Sequence, residues 1–311
     1  MKILFCGSSE FSMQPLERLA ERHEMVAVIT VPPKPRGRGL DVIPNCVHEF
    51  ARSKGILCKT PEKLKQTEIV RELGALNAEA LVIASYGKIL PSDWLALPKR
   101  VALNIHPSLL PKYRGAAPIN WQIINWEIRS GVTIFRMDQG LDSGDIVAQE
   151  EVFLEEGEDA LSLSKRLSRL SADMVLKVLE SVEKGSASFV PQDPSLATYA
   201  PKLKKEDGLI DWTKPAREIS NRVRGLVPWP CAHTFFYGES IQILKTRAED
   251  LTPEGEPGEI LEIDKQGFLK VRAGKGTLLI DRIKPSGKRE MSGLEFANGR
   301  RIHAGMHFGS L

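Results

Sequence analysis

The amino-acid sequence predicts an α/β protein in which an open, mostly parallel β-sheet is followed by a small β-barrel. In the first half of the chain, short apolar runs alternate with segments of helical periodicity, which is typical of β-α-β units. A long amphipathic segment closes that half. After a stretch rich in Pro, Ser and charge, the pattern changes to short alternating runs separated by Gly-containing turns, which favours a small barrel.

The first half shows strands and helices in regular order. The run "KILFC" precedes a helix predicted from Phe11 to Arg22, "MVAVITV" precedes a helix from Asn45 to Lys54, and a helix from Thr60 to Leu76 precedes "ALVIAS". Further strands are predicted at Val101 to Ile105, Val132 to Met137 and Ile146 to Phe153. This order predicts a Rossmann-like sheet, in which ligands bind at the carboxyl ends of the strands.

The first half ends with a long helix, predicted from Asp159 to Lys184 because its apolar residues recur on one face. We predict a catalytic domain at 1–189, a linker at 190–206 and a C-terminal β-barrel domain at 207–311. The last has a helical piece from Ala216 to Arg224. Five or so strands follow, in "CAHTFFY", "SIQILKTR", "GEILEID", "GFLKVRAG" and "GTLLIDRIKP". The residues "AGKGT" lack the spacing of a phosphate loop and predict a hairpin turn.

Composition narrows the class of protein. The 311 residues are 42% hydrophobic and 27% charged, which is ordinary for a globular chain. No run is long and apolar enough for a membrane span and no signal-peptide layout is present, so a cytoplasmic location is expected. The four cysteines stand apart without metal-ligand spacing, which indicates reduced thiols and no zinc site. The net charge of +3 is small, so a polyanionic partner requires a local basic patch. With no coiled-coil seam, we expect a monomer.

Two hydrogen-bonding side chains mark the end of one predicted strand. Asn104 and His106 are two residues apart, so both project from the same face at the carboxyl end. One interpretation is a structural pair that ties down a loop. The segment "MDQGLDSGD" at 137–145 favours a ligand site instead, because it ends another strand with three aspartates and two glycines. A carboxylate there would orient the imidazole and stabilise its protonated form.

An amide, an imidazole and a carboxylate together suit acyl transfer to an amine without a covalent enzyme intermediate. The amide would stabilise the developing oxyanion, while the other two groups would handle protons. A cysteine nucleophile is not indicated, since Cys6 lies in a buried strand pattern and Cys231 follows "VPWP" without a neighbouring base. A metal pair at His303 and His307 lacks a third ligand.

The segment "NIHPSLLPKYRGAAPINW", together with "MDQGLDSGDI", resembles the folate-dependent formyltransferases. The resemblance implies 10-formyltetrahydrofolate as the formyl donor and no metal. It implies that Asn104, His106 and Asp142 are the catalytic residues. It also implies a folate pocket lined by residues of three loops: Gly87, Lys88, Ile89, Leu90, Ser108, Leu109, Leu110, Pro111 and Asp138.

The C-terminal segments "TYAPKLKKEDGLIDW", "NRVRGLVPWP" and "FANGRRIHAGMHF" resemble the members of that family that act on initiator methionyl-tRNA. This resemblance implies an OB-like C-terminal barrel and formylation of the methionine amino group for translation initiation. Two departures from the family pattern are "FCGSSEF", in place of the usual Gly-Thr-Pro-Glu-Phe, and Cys231, where Gly is usual.

Clusters of cationic residues help to indicate which molecule accepts the formyl group. "PPKPRGRG" at 32–39 carries Lys34, Arg36 and Arg38 on an irregular backbone. It is expected to be a surface loop, either merely solvated or in contact with tRNA phosphates, as the resemblance implies. The resemblance makes Arg38 the main expected contact. From the charge pattern, the linker cations Lys202, Lys204 and Lys205 and, near the end, Arg300 and Arg301 could continue a basic track. Two alternatives remain open: a small amine acceptor such as an amino sugar nucleotide, and a non-catalytic RNA-binding or folate-sensing module.

Overall fold

The computed structural model describes residues 1–36, 41–264 and 266–309. They form two compact units. The first comprises Met1–Pro118, Arg129–Phe153 and Ser164–Pro201, and the second comprises Ile119–Ile128, Leu154–Leu163 and the chain from Lys202 onward. The domain boundaries given above stay a prediction.

The first unit contains most of the strands and helices up to residue 200. In chain order, the elements are β1 (Lys2–Gly7), α1 (Met13–Arg22), β2 (Glu24–Ile29), β3 (Lys34–Arg36), β4 (Asp41–Ile43), α2 (Cys46–Ser53), β5 (Cys58–Lys59), α3 (Thr67–Ala75), β6 (Ala80–Ala84), α4 (Ser92–Leu95), β7 (Val101–His106), β8 (Arg114–Gly115), α5 (Pro118–Ile124), β9 (Arg129–Arg136), β10 (Ile146–Phe153), α6 (Ala160–Glu183) and β11 (Tyr199–Ala200). Helices α5 and α6 each contribute residues to both units.

Seven strands form one mixed sheet in the order β10-β9-β7-β6-β1-β2-β5. The five strands from β7 to β5 are parallel, and β9 and β10 add an antiparallel edge. The strands β1 and β6 are buried almost throughout, as parallel strands covered on both faces require. The chain order reverses beside β1, so the crevice past the carboxyl ends of β1 and β6 is the ligand-binding position for such a sheet.

Three local features differ from the prediction. The helix predicted from Thr60 begins only at Thr67. The loop predicted as irregular at 32–39 contributes β3, which pairs antiparallel with β4. Pro35 is compatible with this pairing because Pro is tolerated in edge strands, and both strands of a two-stranded sheet are edges. Residues 190–201, which lie in the predicted linker, make regular backbone hydrogen bonds: Val190 pairs with Ile146, and β11 pairs with β8.

The second unit is built around an antiparallel sheet. Its elements are α7 (Ala216–Gly225), β12 (Ala232–Phe236), β13 (Glu239–Glu249), β14 (Ile260–Ile263), β15 (Leu269–Arg272), β16 (Thr277–Pro285), β17 (Met291–Ser292) and α8 (Gly293–Arg300). The strands pair in the order β12-β13-β16-β15-β14, with β17 on β16. The predicted fold class, a mostly parallel α/β sheet followed by a β domain, is confirmed, and "AGKGT" is a hairpin turn between β15 and β16.

An aromatic cluster fills one end of the second unit. Phe236, Phe296 and Phe308 are almost fully buried, and their ring centroids lie 5.4 to 6.3 Å apart. Trp212 stacks on Phe308, and its indole N–H donates to Thr234 Oγ1. Within the described part of the chain, no helix has the length and apolar character needed to cross a membrane.

Candidate active site

Strand β7 brings Asn104 and His106 to the carboxyl edge of the sheet. The strand lies between β6 and β9, where Asn104 pairs with Ile83 and Phe135, and His106 pairs with Thr133. The alternation of a strand puts the two polar side chains on one face and Ile105 on the other. His106 is only 4% exposed, so its ring is held by packing, including an edge contact with Phe135.

Asp142 approaches this pair from the loop after β9. Its Oδ2 accepts a hydrogen bond from the backbone N–H of Gly115 at 2.8 Å. Its Oδ1 lies 3.5 Å from Asn104 Nδ2, and Oδ2 lies 3.7 Å from His106 Nδ1. Asn104, His106 and Asp142 therefore lie together in the folded protein.

The two nitrogens of His106 have different partners. Nε2 lies 2.9 Å from the carbonyl oxygen of Tyr113, which can only accept, so Nε2 carries a hydrogen. Nδ1 faces Asp142. It is therefore the nitrogen at which a proton can be taken up or released, and a proton placed there lies beside a carboxylate.

Several residues of the site were missed by sequence reasoning. Segment 113–115 contacts His106 through Tyr113 and Asp142 through Gly115. The amide of Gln192 donates to the carbonyl oxygens of Asp142 and Gly144, and accepts from Arg114. The "RG" of the quoted motif was a signal for Arg114 and Gly115, but nothing in the sequence pattern singled out Gln192.

The residues predicted to line a folate pocket lie on three loops of the first unit. After β6, Gly87 has φ +78° and Ile89 is 91% exposed, whereas Leu90 packs against the buried cluster that includes Ile83, Tyr86 and Trp94. Lys88 donates to the carbonyl oxygens of Pro61 and Glu62. Its ammonium group therefore fastens the loop.

The other two loops are also held internally. Ser108 is fully buried and donates to Lys112 O, and Leu110, also buried, donates its N–H to Thr133 Oγ1. Leu109 and Pro111 are partly buried. The exposed carboxylate of Asp138 accepts from Gly140 N and Ser143 Oγ, which shapes the loop that carries Asp142.

The cysteine thiols are poor nucleophiles in this fold. Burial is the main cause that raises the pKa of Cys6, Cys58 and Cys231. Burial, with a smaller effect of Glu10, raises the pKa of Cys46 to about 11. All four groups are therefore thiols near neutral pH, and acyl transfer through a cysteine has no support. The described residues contain no group of three or more His, Cys, Asp or Glu side chains able to hold a metal ion.

The predicted cationic residues fall in both units. Lys34 and Arg36 belong to β3 of the hairpin, and Arg38 lies outside the described residues. Lys202, Lys204 and Lys205 are exposed in the second unit, where Lys205 opens a single 3-10 turn, Lys205–Gly208.

The fold and the site define the class of protein. A Rossmann-like sheet that presents an amide, an imidazole and a carboxylate at its carboxyl edge is arranged for acyl transfer rather than for nucleotide redox chemistry. The formyl transferase family model matches residues 1–179, and the model of the formyl transferase C-terminal domain matches residues 202–301. The chain belongs to the formyl transferase family.

Named relatives share this organisation. The chain is 40% identical over 310 residues to a methionyl-tRNA formyltransferase of Geobacter metallireducens, covering 99% of each chain. It is 43% identical over 311 residues to a methionyl-tRNA formyltransferase of Dictyoglomus turgidum, again covering 99% of each. Among solved structures, the sugar 3N-formyl transferase WlaRD, determined in the presence of dTDP and 5-N-formyl-THF, superposes with a TM-score of 0.68 at 19% identity, over 93% of this chain and 99% of that one. This last likeness concerns the fold alone.

Proposed function

We propose that the protein transfers the formyl group of 10-formyltetrahydrofolate to the α-amino group of methionine carried on initiator tRNA. The observation that carries this proposal is the convergence of Asn104, His106 and Asp142 at one sheet edge. The full-length similarity to methionyl-tRNA formyltransferases supports the choice of acceptor. A cytoplasmic location would follow from a role in translation initiation, and the monomeric state stays a prediction.

Asn104 has the role of stabilising charge. A primary amide carries two hydrogens, so Nδ2 can face Asp142 with one and the formyl oxygen with the other. When the amine attacks the formyl carbon, negative charge develops on that oxygen, and a positioned N–H donor stabilises it without reorganisation. Asp142 fixes the direction in which the amide points.

His106 and Asp142 manage the protons. The attacking amine must lose a proton as the new C–N bond forms, and the folate nitrogen must gain one as the old C–N bond breaks. Because His106 Nε2 is bound to the Tyr113 carbonyl, Nδ1 and the neighbouring carboxylate receive and return that proton. The number of protons is conserved across the reaction, and no covalent enzyme intermediate is needed.

We place the folate in the crevice beyond the carboxyl ends of β1 and β6, the ligand-binding position of such a sheet. When bound there, 10-formyltetrahydrofolate supplies the formyl group. Ile89 offers an exposed apolar side chain for a flat ring, and Gly87 gives the loop a left-handed turn. The residues proposed to line this pocket are those of the three loops named above, with Lys88, Ser108 and Leu110 acting by shaping the loops.

The exposed lysines are best explained if the molecule that accepts the formyl group is an RNA. Lys202, Lys204 and Lys205 present three cations within four residues, which suits a phosphate backbone. We include Lys34, Arg36 and Arg38 in the proposed tRNA contact on the sequence pattern alone. The competing acceptor, an amino sugar nucleotide, is suggested by the fold shared with a sugar N-formyl transferase and requires no such cluster.

Formyl transfer can be measured with methionyl initiator tRNA, an amino sugar nucleotide and uncharged tRNA in parallel. We expect transfer to the aminoacylated tRNA alone and a fall in kcat of about 100- to 10,000-fold for His106→Ala. His303→Ala, which changes an exposed histidine of the second unit, serves as the matched control and should keep full activity. Transfer to the sugar would overturn the acceptor, and no transfer to either would favour a binding module.

A further inference from the structure

The side chain of Gln192 uses all of its hydrogen-bonding groups within the first unit. Nε2 donates to the carbonyl oxygens of Asp142 at 2.9 Å and Gly144 at 2.8 Å. Oε1 accepts from Arg114 Nε at 3.2 Å and Nη2 at 2.7 Å. Two hydrogens meet two carbonyl oxygens, and one oxygen meets two donors of a guanidinium.

These partners allow only one orientation of the Gln192 side-chain amide. If the amide of Gln192 were reversed, its oxygen would face two carbonyl oxygens and its NH₂ group would face a cation. Arg114 is only 7% exposed, so solvent screens the charge of its guanidinium weakly. That charge would repel the NH₂ group of a reversed Gln192 amide and so prevents the reversal. Arg114 therefore fixes the direction in which Gln192 donates.

The loop bound by Gln192, which carries Asp142 and Gly144, has a strained and closely packed backbone. Asp142 has φ +50°, a left-handed conformation that residues other than glycine adopt at a cost. Gly144 approaches the backbone of β9 so closely that a Cβ there would overlap the carbonyl oxygen of Arg136. Asp138, Gly140 and Ser143 shape the start of the loop, whereas Gln192 holds the peptides on both sides of the turn after Asp142.

We infer that Gln192, oriented by Arg114, is a positioning residue that sets where the Asp142 carboxylate stands relative to Asn104 and His106. The inference rests on the proposed function, because it assigns Gln192 a role in formyl transfer. The contacts of segment 113–115 also support it. Gly115 N binds the same carboxylate, while the side chain of the neighbouring Arg114 binds Gln192. The carboxylate of Asp142 and its own main chain are thus held by two linked contacts.

The main test is Gln192→Leu, assayed for formyl transfer to methionyl initiator tRNA. Loss of the amide releases both carbonyl oxygens, and a displacement of about 1 Å at a reacting group can reduce the rate by about 100-fold. We expect kcat to fall by about that factor with the KM for tRNA unchanged. Ser168→Ala is the control, because it removes a buried hydrogen bond of the same unit, to Phe11 O, and none of the hydrogen bonds that hold the Asp142 loop.

A second variant, Gln192→Glu, tests the direction of donation and keeps the shape of the side chain. The introduced carboxylate still accepts from Arg114 but faces two carbonyl oxygens, so we expect a comparable loss of kcat at pH 7.5. At lower pH the carboxyl group can gain a proton and donate it to one carbonyl. Activity relative to the wild type should therefore rise as the pH falls, and a constant ratio would contradict the proposal.

A double-mutant cycle with Asp142→Ala separates positioning from general destabilisation. If Gln192 acts through Asp142, Gln192→Leu should cause little further loss of kcat once that carboxylate is gone. Full additivity, or a loss in the single variant no larger than that of Ser168→Ala, would refute the role. Wild-type protein that fails to transfer the formyl group would instead overturn the proposed function, so the two failures are distinguishable.

Discussion

Asp142 combines a left-handed backbone with a side-chain carboxylate that belongs to the site. Its backbone is left-handed at φ +50°, a conformation that Asp and Asn tolerate better than most residues. Its carboxylate binds Gly115 N and faces Asn104 and His106. A glycine would relieve the backbone and lose the carboxylate, whereas a glutamate would keep the charge and displace it. The residue type follows from both requirements.

At the same scale, Asn104→Ala removes the N–H donor that is proposed to stabilise the oxyanion in the transition state. We expect kcat to fall by about 100- to 1,000-fold, the usual effect of losing one oxyanion donor, with tRNA binding nearly unchanged. Rapid-quench single-turnover assays and a separate tRNA-binding titration would measure the two quantities. Asn298→Ala, on the exposed side of α8, is the matched control. A large loss of tRNA affinity with normal turnover would assign Asn104 to binding instead.

The residues that sequence patterns could reveal are those with a local signature. Asn104 and His106 end an apolar strand, and Asp142 lies in a Gly-rich acidic loop after another, so the residues themselves had a local signature. Their meeting did not follow from the sheet type, because β9 is antiparallel to β7 and ends beside the start of that strand. The loop after β9 has to return before Asp142 reaches Asn104 and His106. Gln192 had no such signature. It contacts Arg114 across 78 positions of sequence, in a stretch that composition indicates as a linker. Contacts of that separation depend on tertiary packing, which periodicity does not encode.

At the scale of elements, burial explains which predictions were right. β1 and β6 are continuous apolar runs with buried side chains, and they were predicted within a residue or two. The β3 and β4 hairpin was missed because Pro and Gly usually interrupt strands. Cys231 has φ +64°, in the region where glycine is favoured, which agrees with the expectation from the family resemblance that Gly stands at this position.

The N-terminus of α8 offers a test of element stability. Ser292 Oγ accepts from Glu295 N, and Ser292 N donates to Glu295 Oε2, a reciprocal cap. Removing the hydroxyl in Ser292→Ala should reduce the free energy of unfolding by about 1 kcal/mol. Thermal unfolding would measure the change. Equal melting temperatures for wild type and variant would show that the cap contributes nothing.

The same cap predicts a pH dependence with a definite sign. Hydrogen bonds from Ser292, first from its backbone N–H and then from its side chain, lower the pKa of Glu295. A carboxylate whose pKa is lower in the folded than in the unfolded protein stabilises the folded state at pH values above the unfolded-state pKa. This stabilisation is lost as the pH falls through the folded-state pKa. Wild type should therefore be more stable than Glu295→Gln at pH 7, and the difference should shrink on acidification to pH 3. A difference that grows in acid would contradict this assignment.

At the scale of the whole molecule, charge is nearly balanced. The chain has 43 Lys and Arg against 40 Asp and Glu, a net charge of +3. Such a molecule has little long-range attraction for a polyanion, so affinity for tRNA must come from local cations that release counterions when they meet phosphates. The affinity for tRNA should therefore depend on where the lysines lie and not on the net charge of the chain.

Replacing Lys202, Lys204 and Lys205 together with Gln tests that requirement. We expect the KM for tRNA to rise, kcat to stay unchanged, and the slope of log affinity against log salt to decrease in magnitude by about 2 to 3, since each phosphate contact contributes about 0.7 to 0.9. The matched control replaces the exposed lysines Lys99, Lys165 and Lys177 of the first unit, which changes the net charge by the same amount. If both triple variants weaken binding equally, the attraction comes from the overall charge and the linker lysines have no special contact. If only the first does, the acceptor tRNA is held through its phosphates at that segment.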